Sequence, residues 1–502
     1  VLETTGIQLL FNGPESFTPD DRYWLGESPE VKRLFVAAGF NSVGIQSSGG
    51  VGKVLAQWIV NGQAPMNLWD VDINRMQPHQ NNSNYLRDRT VESLGLLYAM
   101  HWPFRQFETA RNVRKSGLHD RLAAAGACFG EVAGWERANW YAPAGVQARY
   151  EYSYGRPNWF EHSAAEHRAV REEVGLLDQS SFTKILVQGR DAESVLNRIC
   201  TNDIAVPVGK CVYTQWLNDR GTIEADLTVT RIAEDEFFVI TGPATNTQVL
   251  NWLRHHISAD AYAQVTDVTS GWATLNVQGP RSREMLSSMT RSDLSNDAFP
   301  FGTTQEIELG YAMVKALRIS YVGELGWELY IPSEFVQSVY DLIVSVGVDF
   351  GLRHVGYHAL NSLRIEKAYR EFGHDIGADD TPLEAGLGFA QAFDKPGGFI
   401  GREALLLQKE RGLNRRLLQF LLGDPEPLMY HNEPIYRDNE FVGYTASAMY
   451  GHTLGGSVAM GYVTNNEDLL RADYQIEVAG RRYPAQASLR PLYDPRSARI
   501  RG

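Results

Sequence analysis

Tyr321 and Glu328 lie seven residues apart, on either side of a short segment that contains Gly323 and Gly326. The flanking residues alternate between apolar and polar types, which predicts two strands joined by a tight turn over residues 323–326. A glycine turn can break the two-residue period and bring both side chains toward one cavity. An aromatic ring beside a carboxylate suits a flat heterocycle with amino groups, such as a pterin. A hairpin with its glutamate on the surface gives the same pattern, so these residues alone leave both interpretations open.

Asp226 is a second residue whose position could support chemistry. It follows a flexible turn at Gly221 and comes directly before an apolar stretch, Leu227–Thr230, that predicts a strand. Partial burial at this position would raise the pKa of the carboxyl group and suit it to proton transfer. The competing interpretation is an ordinary carboxylate at the edge of a strand.

A glycine-rich segment near the start of the chain could hold a cofactor. Residues 34–40 predict a buried strand, and residues 53–60 have the apolar period of a helix. A glycine turn before a helix exposes backbone N–H groups that favour an anion. The segment matches neither the GxGxxG dinucleotide pattern nor a phosphate loop. The candidate cofactor-binding residues are Gly44, Ile45, Gly49, Gly50, Val51, Gly52 and Lys53.

Composition excludes several classes of protein. A length of 502 residues predicts three to four domains, and 43% hydrophobic residues are enough for large cores. The net charge of −13 argues against a nucleic-acid partner. No apolar run reaches the roughly 18 residues of a membrane span. Cys128, Cys200 and Cys211 lack the spacing of a metal site or a disulfide framework and indicate a reducing compartment.

Six segments occur in the order found in the glycine-cleavage T-protein (aminomethyltransferase) family. The segment with Tyr321 and Glu328 resembles the tetrahydrofolate-binding motif of that family, and the other five lie at residues 175–180, 221–229, 275–280 (LNVQGP), 381–386 (TPLEAG) and 399–405 (FIGREAL). Residues 39–59 are similar to the C-terminal flavin-binding segment of amine-oxidising flavoproteins. The whole chain therefore resembles the sarcosine/dimethylglycine dehydrogenase family, in which an FAD-dependent oxidoreductase is fused to a T-protein-like part.

The resemblance implies an α+β multidomain fold with four parts. Residues 1–80 would be the C-terminal part of an FAD-binding α/β oxidoreductase domain, and residues 81–145 a largely helical connector. Residues 150–395 would form the folate-binding α+β domain. Residues 396–502, which contain short alternating segments split by Gly, Asn and Pro, would form an antiparallel β barrel or jelly roll. The chain starts at Val1 within a pattern, so we expect further sequence upstream that carries the dinucleotide-binding turn.

The resemblance also implies a function. FAD would oxidise an N-methyl amine, and tetrahydrofolate would capture the one-carbon unit as 5,10-methylenetetrahydrofolate. Asp226 would act in this capture, and Tyr321 and Glu328 would bind folate. An electron-transfer flavoprotein or oxygen would accept the electrons. The expected location is the cytoplasm in a bacterium or the mitochondrial matrix in a eukaryote.

Two departures from the T-protein pattern qualify this assignment. Ala225 precedes Asp226 where T-proteins usually carry a second acid, and Leu360 replaces an arginine that could contact the aminomethyl donor or the folate tail. Nearby, Arg364 and Glu366 are expected to form a structural ion pair on their helix.

Two alternative functions are compatible with the same segments. One is a non-catalytic regulatory protein that resembles the regulatory subunit of pyruvate dehydrogenase phosphatase. The other is a stand-alone folate-dependent aminomethyltransferase. The presence of Asp226, Tyr321 and Glu328 favours an enzyme, and the flavin-like segment within residues 1–80 argues against a stand-alone transferase.

Overall fold

The computed structural model describes residues 3–502, which form two compact units. The first unit extends to His101 and includes Glu108–Ala110, and the second comprises Trp102–Phe107 and Arg111–Gly502. Among the described residues, no helix combines the length and the apolar character that crossing a membrane requires.

The first unit contains one short hairpin and two helices. Its elements are β1 (Trp24–Glu27), β2 (Phe35–Ala38), α1 (Gly44–Asn61) and α2 (Ser83–Leu97). Strands β1 and β2 pair in antiparallel fashion, so a strand within residues 34–40 is confirmed, but its residues are partly or fully exposed and not buried as predicted. Asn82 caps α2, because its side chain accepts hydrogen bonds from the N–H groups of Asn84 and Tyr85.

The start of α1 differs from the prediction. The helix begins at Gly44 and not near Lys53, so the glycine-rich segment forms its first turns instead of a loop. Val51 and Trp58, seven residues apart, are the buried residues of α1 and lie on one face. Glycine lowers helix propensity by about 1 kcal/mol relative to alanine, which is why the sequence pattern predicted a turn here.

The second unit begins with a region in which helices cover two large sheets. Its elements are α3 (His119–Ala124), β3 (Ala127–Val132), β4 (Trp135–Tyr141), α4 (Phe160–Glu172), β5 (Val174–Asp178), β6 (Thr183–Gln188), α5 (Ala192–Ile199), β7 (Cys211–Leu217), β8 (Ile223–Ala233), β9 (Glu236–Thr241), α6 (Asn246–His256), β10 (Gln264–Asp267), β11 (Trp272–Gln278), α7 (Ser282–Ser287), β12 (Thr304–Leu309), β13 (Ala312–Leu317), β14 (Gly326–Pro332), α8 (Val336–Gly347), β15 (Leu352–His354) and α9 (Tyr357–Glu366). The predicted α+β class is confirmed.

The two sheets pack face to face. The first is antiparallel, with strand order β10-β6-β9-β8-β7, and the second has the order β12-β13-β14-β11-β5-β15 with one parallel pair, β5 and β15. Apolar residues on the outer face of the first sheet pack against α5 and α6, and those of the second against α7 and α8. The inner faces meet through Phe238, Ile240, Leu317 and Tyr330.

The C-terminal part is a closed six-stranded antiparallel barrel, which confirms the predicted barrel. It follows α10 (Arg402–Arg411) and consists of β16 (Arg415–Leu422), β17 (Pro434–Arg437), β18 (Glu440–Gly451), β19 (Gly456–Thr464), β20 (Tyr474–Val478) and β21 (Arg481–Ser488). Leu418, Phe420, Ile435 and Ile476 are among the residues of its core.

Candidate functional site

Polar side chains on the inner faces of the two sheets, among them Asp226, Thr228 and Glu328, form a layer in the second unit that we call the polar layer. Along β8, Ala225, Leu227 and Val229 point into the outer core, so Asp226 and Thr228 point toward the other sheet. Along β14, Trp327 and Leu329 point into the outer core of the second sheet, so Glu328 points inward. A polar layer between two sheets can hold a small ligand in a protected setting.

The sequence predicted that Asp226 comes directly before a strand, but in the structure it lies within β8. Its register partner on β7 is Gln215, whose amide donates a hydrogen bond of 2.7 Å to Asp226 Oδ1. Gln391 in turn donates to Gln215 Oε1 at 2.8 Å, which fixes the orientation of both side chains. Burial raises the pKa of Asp226 to about 6, and hydrogen bonds from Gln215 and Tyr213 limit the rise. The carboxyl group can therefore gain or lose a proton near neutral pH.

Tyr321 lies in the loop between β13 and β14, which spans residues 318–325 and is longer than the predicted turn over residues 323–326. Its hydroxyl donates to the carbonyl of Arg370 at 2.8 Å, and its ring stacks on that of Tyr369 with centroids 5.8 Å apart. Burial raises the pKa of Tyr321, the charge of Arg364 opposes the rise, and the charges of Glu371, Asp375 and Asp226 add to it.

Glu328 has a different set of neighbours. Tyr330 donates a hydrogen bond of 2.5 Å to Glu328 Oε2. Burial raises the pKa of Glu328, and hydrogen bonds from Tyr330 and Asn276 and the charge of Lys184 oppose the rise. Lys184 is itself fully buried, and burial lowers its pKa to about 7. The ammonium group of Lys184 donates hydrogen bonds to the carbonyls of Ser180 and Phe182 at 2.9 and 2.8 Å, so its charge acts on Glu328 without a direct ion pair.

The two groups of residues have neighbours on one strand, β7, where Cys211 is near Glu328 and Tyr213 is near Asp226. Burial raises the pKa of Cys211 to about 12 with a contribution from Glu328, and burial raises the pKa of Tyr213 with a contribution from Asp226. Residues two apart in a strand are separated by about 7 Å. Glu328 and Asp226 therefore mark two positions along the polar layer. That Tyr321 and Glu328 contact one ligand stays a prediction.

The sequence analysis missed several residues at this site. Tyr213 and Gln215 contact Asp226 from β7, and Arg370 places a positive charge near it. Phe389 is 76% exposed, and its ring stacks on that of Tyr213 with centroids 6.2 Å apart. The alternation of β7 could have indicated the first two, but Arg370 and Phe389 lie in loops whose position no periodic pattern predicts.

Unpaired acceptors at the polar layer are consistent with a ligand that carries N–H groups. Gln278 Oε1 and Gln391 Oε1 are buried and have no hydrogen-bond partner within residues 3–502. Gln278 lies on the same face of the second sheet as Glu328, and Gln391 contacts Gln215. A buried acceptor without a donor is costly, so these atoms fit a reduced pterin with its amino and ring N–H groups.

The glycine-rich segment in the first unit presents an open helix surface. A Cβ atom added at Gly49, Gly50 or Gly52 would meet no atom within 4 Å. Ile45 is 95% exposed, and no side chain caps the first turn of α1. Uncapped N–H groups beside open glycines fit the electron-rich edge of a flavin ring. The assignment of Gly44, Ile45, Gly49, Gly50, Val51, Gly52 and Lys53 to a flavin stays a prediction.

On the helix that contains Leu360, where the sequence departs from the T-protein pattern, the predicted ion pair was wrong. Arg364 and Glu366 do not pair with each other, because Arg364 pairs with Asp375 at 2.7 Å and Glu366 with Arg171 at 2.9 Å. Leu360 is buried in the apolar cluster that also contacts Tyr321, so it supports the ring in place of a charged contact.

Three family models match the chain. The GCVT N-terminal domain matches residues 118–395, more than half of the chain, and the glycine cleavage T-protein C-terminal barrel domain matches residues 415–494. The chain belongs to the glycine-cleavage T-protein family. The FAD dependent oxidoreductase central domain matches residues 61–116, so the family models together imply both folate and FAD.

Curated relatives join the same parts. The chain is 48% identical over its full length to "4-methylaminobutanoate oxidase (formaldehyde-forming)" of Paenarthrobacter nicotinovorans, covering 61% of that protein. It is 37% identical to the mitochondrial pyruvate dehydrogenase phosphatase regulatory subunit of Mus musculus over 98% of the chain and 58% of that protein. It is 35% identical to the mitochondrial sarcosine dehydrogenase of Homo sapiens over 100% of the chain and 60% of that protein. The T-protein chain thus spans about 60% of the length of these relatives.

A solved structure shows the same T-protein fold. The aminomethyltransferase T of the glycine cleavage system from Bartonella henselae aligns with 76% of this chain and 99% of its own, with a TM-score of 0.66 and 23% identity.

Proposed function

We propose that this chain is the folate-binding part, with a portion of the flavoprotein part, of an enzyme that oxidatively demethylates an N-methyl amine. The observation that carries the proposal is the polar layer between the two sheets, in which Asp226, Tyr321 and Glu328 lie with two unpaired buried acceptors. The match of residues 61–116 to a flavoprotein central domain supports the coupling of this layer to amine oxidation.

Each of the three residues would have a separate role in the transfer. FAD, held in part by the first turns of α1, would supply the two-electron oxidation that converts the N-methyl amine to an iminium ion. Tyr321 would stack on the pterin, and Glu328 would accept its N–H groups. Asp226 would take up the proton that the folate nitrogen loses as it bonds to the one-carbon unit and return it to the amine nitrogen, so that the bond between that nitrogen and the one-carbon unit breaks and the demethylated amine leaves. A pKa of about 6 suits a transfer in both directions.

The substrate class follows from the names of the relatives. Sarcosine and 4-methylaminobutanoate are both amino acids whose nitrogen carries a methyl group. We propose a substrate of this class, with oxygen or an electron-transfer flavoprotein as the electron acceptor. The relatives from human and mouse are named as mitochondrial, and we propose the cytoplasm as the location in a bacterium.

A regulatory protein is the second candidate, because one relative at 37% identity is named as a regulatory subunit. A regulatory protein has no need of a buried Asp226 that Gln215 orients or of a buried Glu328 between Tyr330 and Asn276. A stand-alone aminomethyltransferase is less well supported, since such an enzyme has no use for the flavoprotein part.

The test uses a protein that contains this chain and its flavin, with tetrahydrofolate in excess. Asp226→Ala should leave amine oxidation within a few-fold of wild type, while the ratio of methylenetetrahydrofolate to formaldehyde falls on the order of 100-fold, the scale of a lost general acid/base. Glu234→Ala, at an exposed carboxylate just beyond the end of the same strand, is the matched control. An unchanged product ratio in Asp226→Ala would remove Asp226 from the mechanism.

A further inference from the structure

The last residues of the chain lie against the loop that carries Tyr321. Residues 492–502 follow the barrel and contact this loop, residues 318–325, and the helix end beside it. Tyr493 donates a hydrogen bond of 2.6 Å to Glu324 Oε1, and Arg499 donates one of 2.7 Å to Glu324 Oε2. Arg318, at the first position of the loop, donates to the carbonyl of Arg501 at 2.7 Å.

Glu324 is the centre of these contacts. Only 1% of the residue is exposed, so its charge needs partners within the protein. Arg171 of α4 is one partner, with its Nη1 3.0 Å from Glu324 Oε1, and Arg499 of the tail is the other. Arg171 is also bound to the buried Glu366 at 2.9 Å. Without Arg499, two buried carboxylates would share one guanidinium.

Further contacts hold the tail in register. Lys367 donates a hydrogen bond of 2.8 Å to the carbonyl of Asp494. The stem of the same lysine packs so closely on Gly323 that a Cβ atom there would lie 2.3 Å from Lys367 Cγ. Gly323 has a φ of +85°, so both its conformation and its space exclude a side chain. The stem of Lys367 therefore restricts the conformation of the loop at Gly323.

The opposite end of the loop reaches the polar layer. Ser320 Oγ accepts hydrogen bonds from the N–H groups of Gly323 and Glu324, at 3.0 and 3.2 Å, which closes the loop into a compact turn. Tyr321 lies in this turn, and its hydroxyl reaches the carbonyl of Arg370. A shift of Glu324 would therefore move Tyr321.

We propose that residues 492–502 form a strap that sets the position of Tyr321, and that Arg499 and Glu324 are its positioning residues. Neither residue contacts the ligand. The strap acts by holding the binding loop in the conformation that the ligand requires, which removes an ordering cost from binding. The identity of the ligand as a folate rests on the proposed function above, whereas the mechanical coupling between tail and loop does not.

The experiment compares three variants of the 502-residue chain. Arg499→Gln removes the charge, Arg499→Lys restores it, and Arg496→Gln makes the same charge change at an exposed arginine three residues earlier. Amide hydrogen exchange over residues 318–326 reports the loop, and calorimetry with tetrahydrofolate, well below the melting temperature, reports binding. We expect Arg499→Gln to speed exchange of the loop and to weaken binding, each about tenfold, the scale of one lost charge-assisted hydrogen bond. Arg496→Gln should match wild type, and Arg499→Lys should recover most of the affinity.

The outcomes separate the strap from the proposed function. Loop exchange in Arg499→Gln at the wild-type rate would overturn the strap. Faster exchange with unchanged affinity would overturn its positioning role. If wild-type chain binds no tetrahydrofolate, the proposed function fails, and the exchange of the loop alone then decides whether the strap exists.

Discussion

Opposing effects set the charge of the two inner carboxylates. Burial raises the pKa of Asp226 and of Glu328, but the partners that oppose the rise differ. Asp226 has the neutral donors Gln215 and Tyr213 together with the more distant charge of Arg370. Glu328 has the neutral donors Tyr330 and Asn276 and, as a smaller contribution, the charge of Lys184, whose own pKa burial lowers to about 7. A carboxyl group with a pKa of about 6, such as that of Asp226, can exchange a proton near neutral pH, whereas the ionised form of Glu328 would accept ligand N–H groups.

The first prediction concerns Glu328. Glu328→Ala should weaken tetrahydrofolate binding by about 1–3 kcal/mol, because a charge-assisted pair of hydrogen bonds is lost. Titration calorimetry measures the change directly. Glu308→Ala is the control, since this glutamate is exposed on β12 of the same sheet. Equal affinity of Glu328→Ala and wild type would show that the ligand does not contact this carboxylate.

At the scale of residues, the sequence indicated the acids but not their partners. Asp226, Tyr321 and Glu328 could be picked out because they lie in short segments with a family pattern. The partners come from other segments: Gln391 is 165 positions from Asp226 along the chain, and Arg370 is 144 positions away. Contacts at such separation depend on how the two sheets pack, which no local pattern encodes.

At the scale of elements, Glu366 joins two helices to the barrel. It lies at the end of α9 and binds Arg171 of α4, and it accepts hydrogen bonds from the N–H groups of Thr453 and Leu454 at 2.7 and 3.1 Å. Those two residues connect β18 to β19. Burial alone would raise the pKa of Glu366, but His167 and Arg171 lower it to about 2.

This lowered pKa predicts an acid-dependent loss of stability. Because the folded state holds the proton less tightly than the unfolded state, Glu366 stabilises the fold above its unfolded pKa of about 4.5, and this contribution is lost as the pH falls toward about 2. Glu366→Gln should lower the free energy of unfolding at neutral pH by on the order of 3 kcal/mol. The difference from wild type should shrink as the pH falls from about 5 to about 2. Urea melts across this range measure it, with Glu161→Gln on the exposed side of α4 as the control. A difference that does not vary with pH would contradict the proposed ionisation of Glu366.

Elements were predicted where periodicity was strong and missed where glycine interrupted it. The barrel could be predicted from short apolar alternation between turn residues, and β2 from a short apolar run that ends in glycine. The first turns of α1 were expected to be a loop because Gly49, Gly50 and Gly52 have low helix propensity, yet the helix starts at Gly44. The predicted loop before β14 was also too short. Gly323 and Gly326 suggested a tight turn, but the connection covers residues 318–325.

At the scale of the whole molecule, the T-protein family models match much more of this chain than the flavoprotein model does. The T-protein models cover residues 118–395 and 415–494, and the aligned aminomethyltransferase structure is matched over 99% of its chain. The flavoprotein match is confined to residues 61–116, and the sequence contains no GxGxxG fingerprint in its glycine-rich segment. The chain also spans only about 60% of the length of the relatives named as a 4-methylaminobutanoate oxidase and a sarcosine dehydrogenase.

We therefore expect the 502-residue chain on its own to bind tetrahydrofolate but to purify without stoichiometric flavin. The open glycines of α1 leave room for one edge of a flavin ring, but dinucleotide-binding folds also hold the pyrophosphate with a glycine-rich turn whose pattern this segment lacks. Apolar side chains exposed in the first unit, among them Ile7, Leu10 and Val60, should also make this chain prone to aggregation. Visible absorbance measures flavin content and calorimetry measures folate binding on the same preparation. A yellow protein with one flavin per chain would show that residues 1–502 contain a complete flavin site.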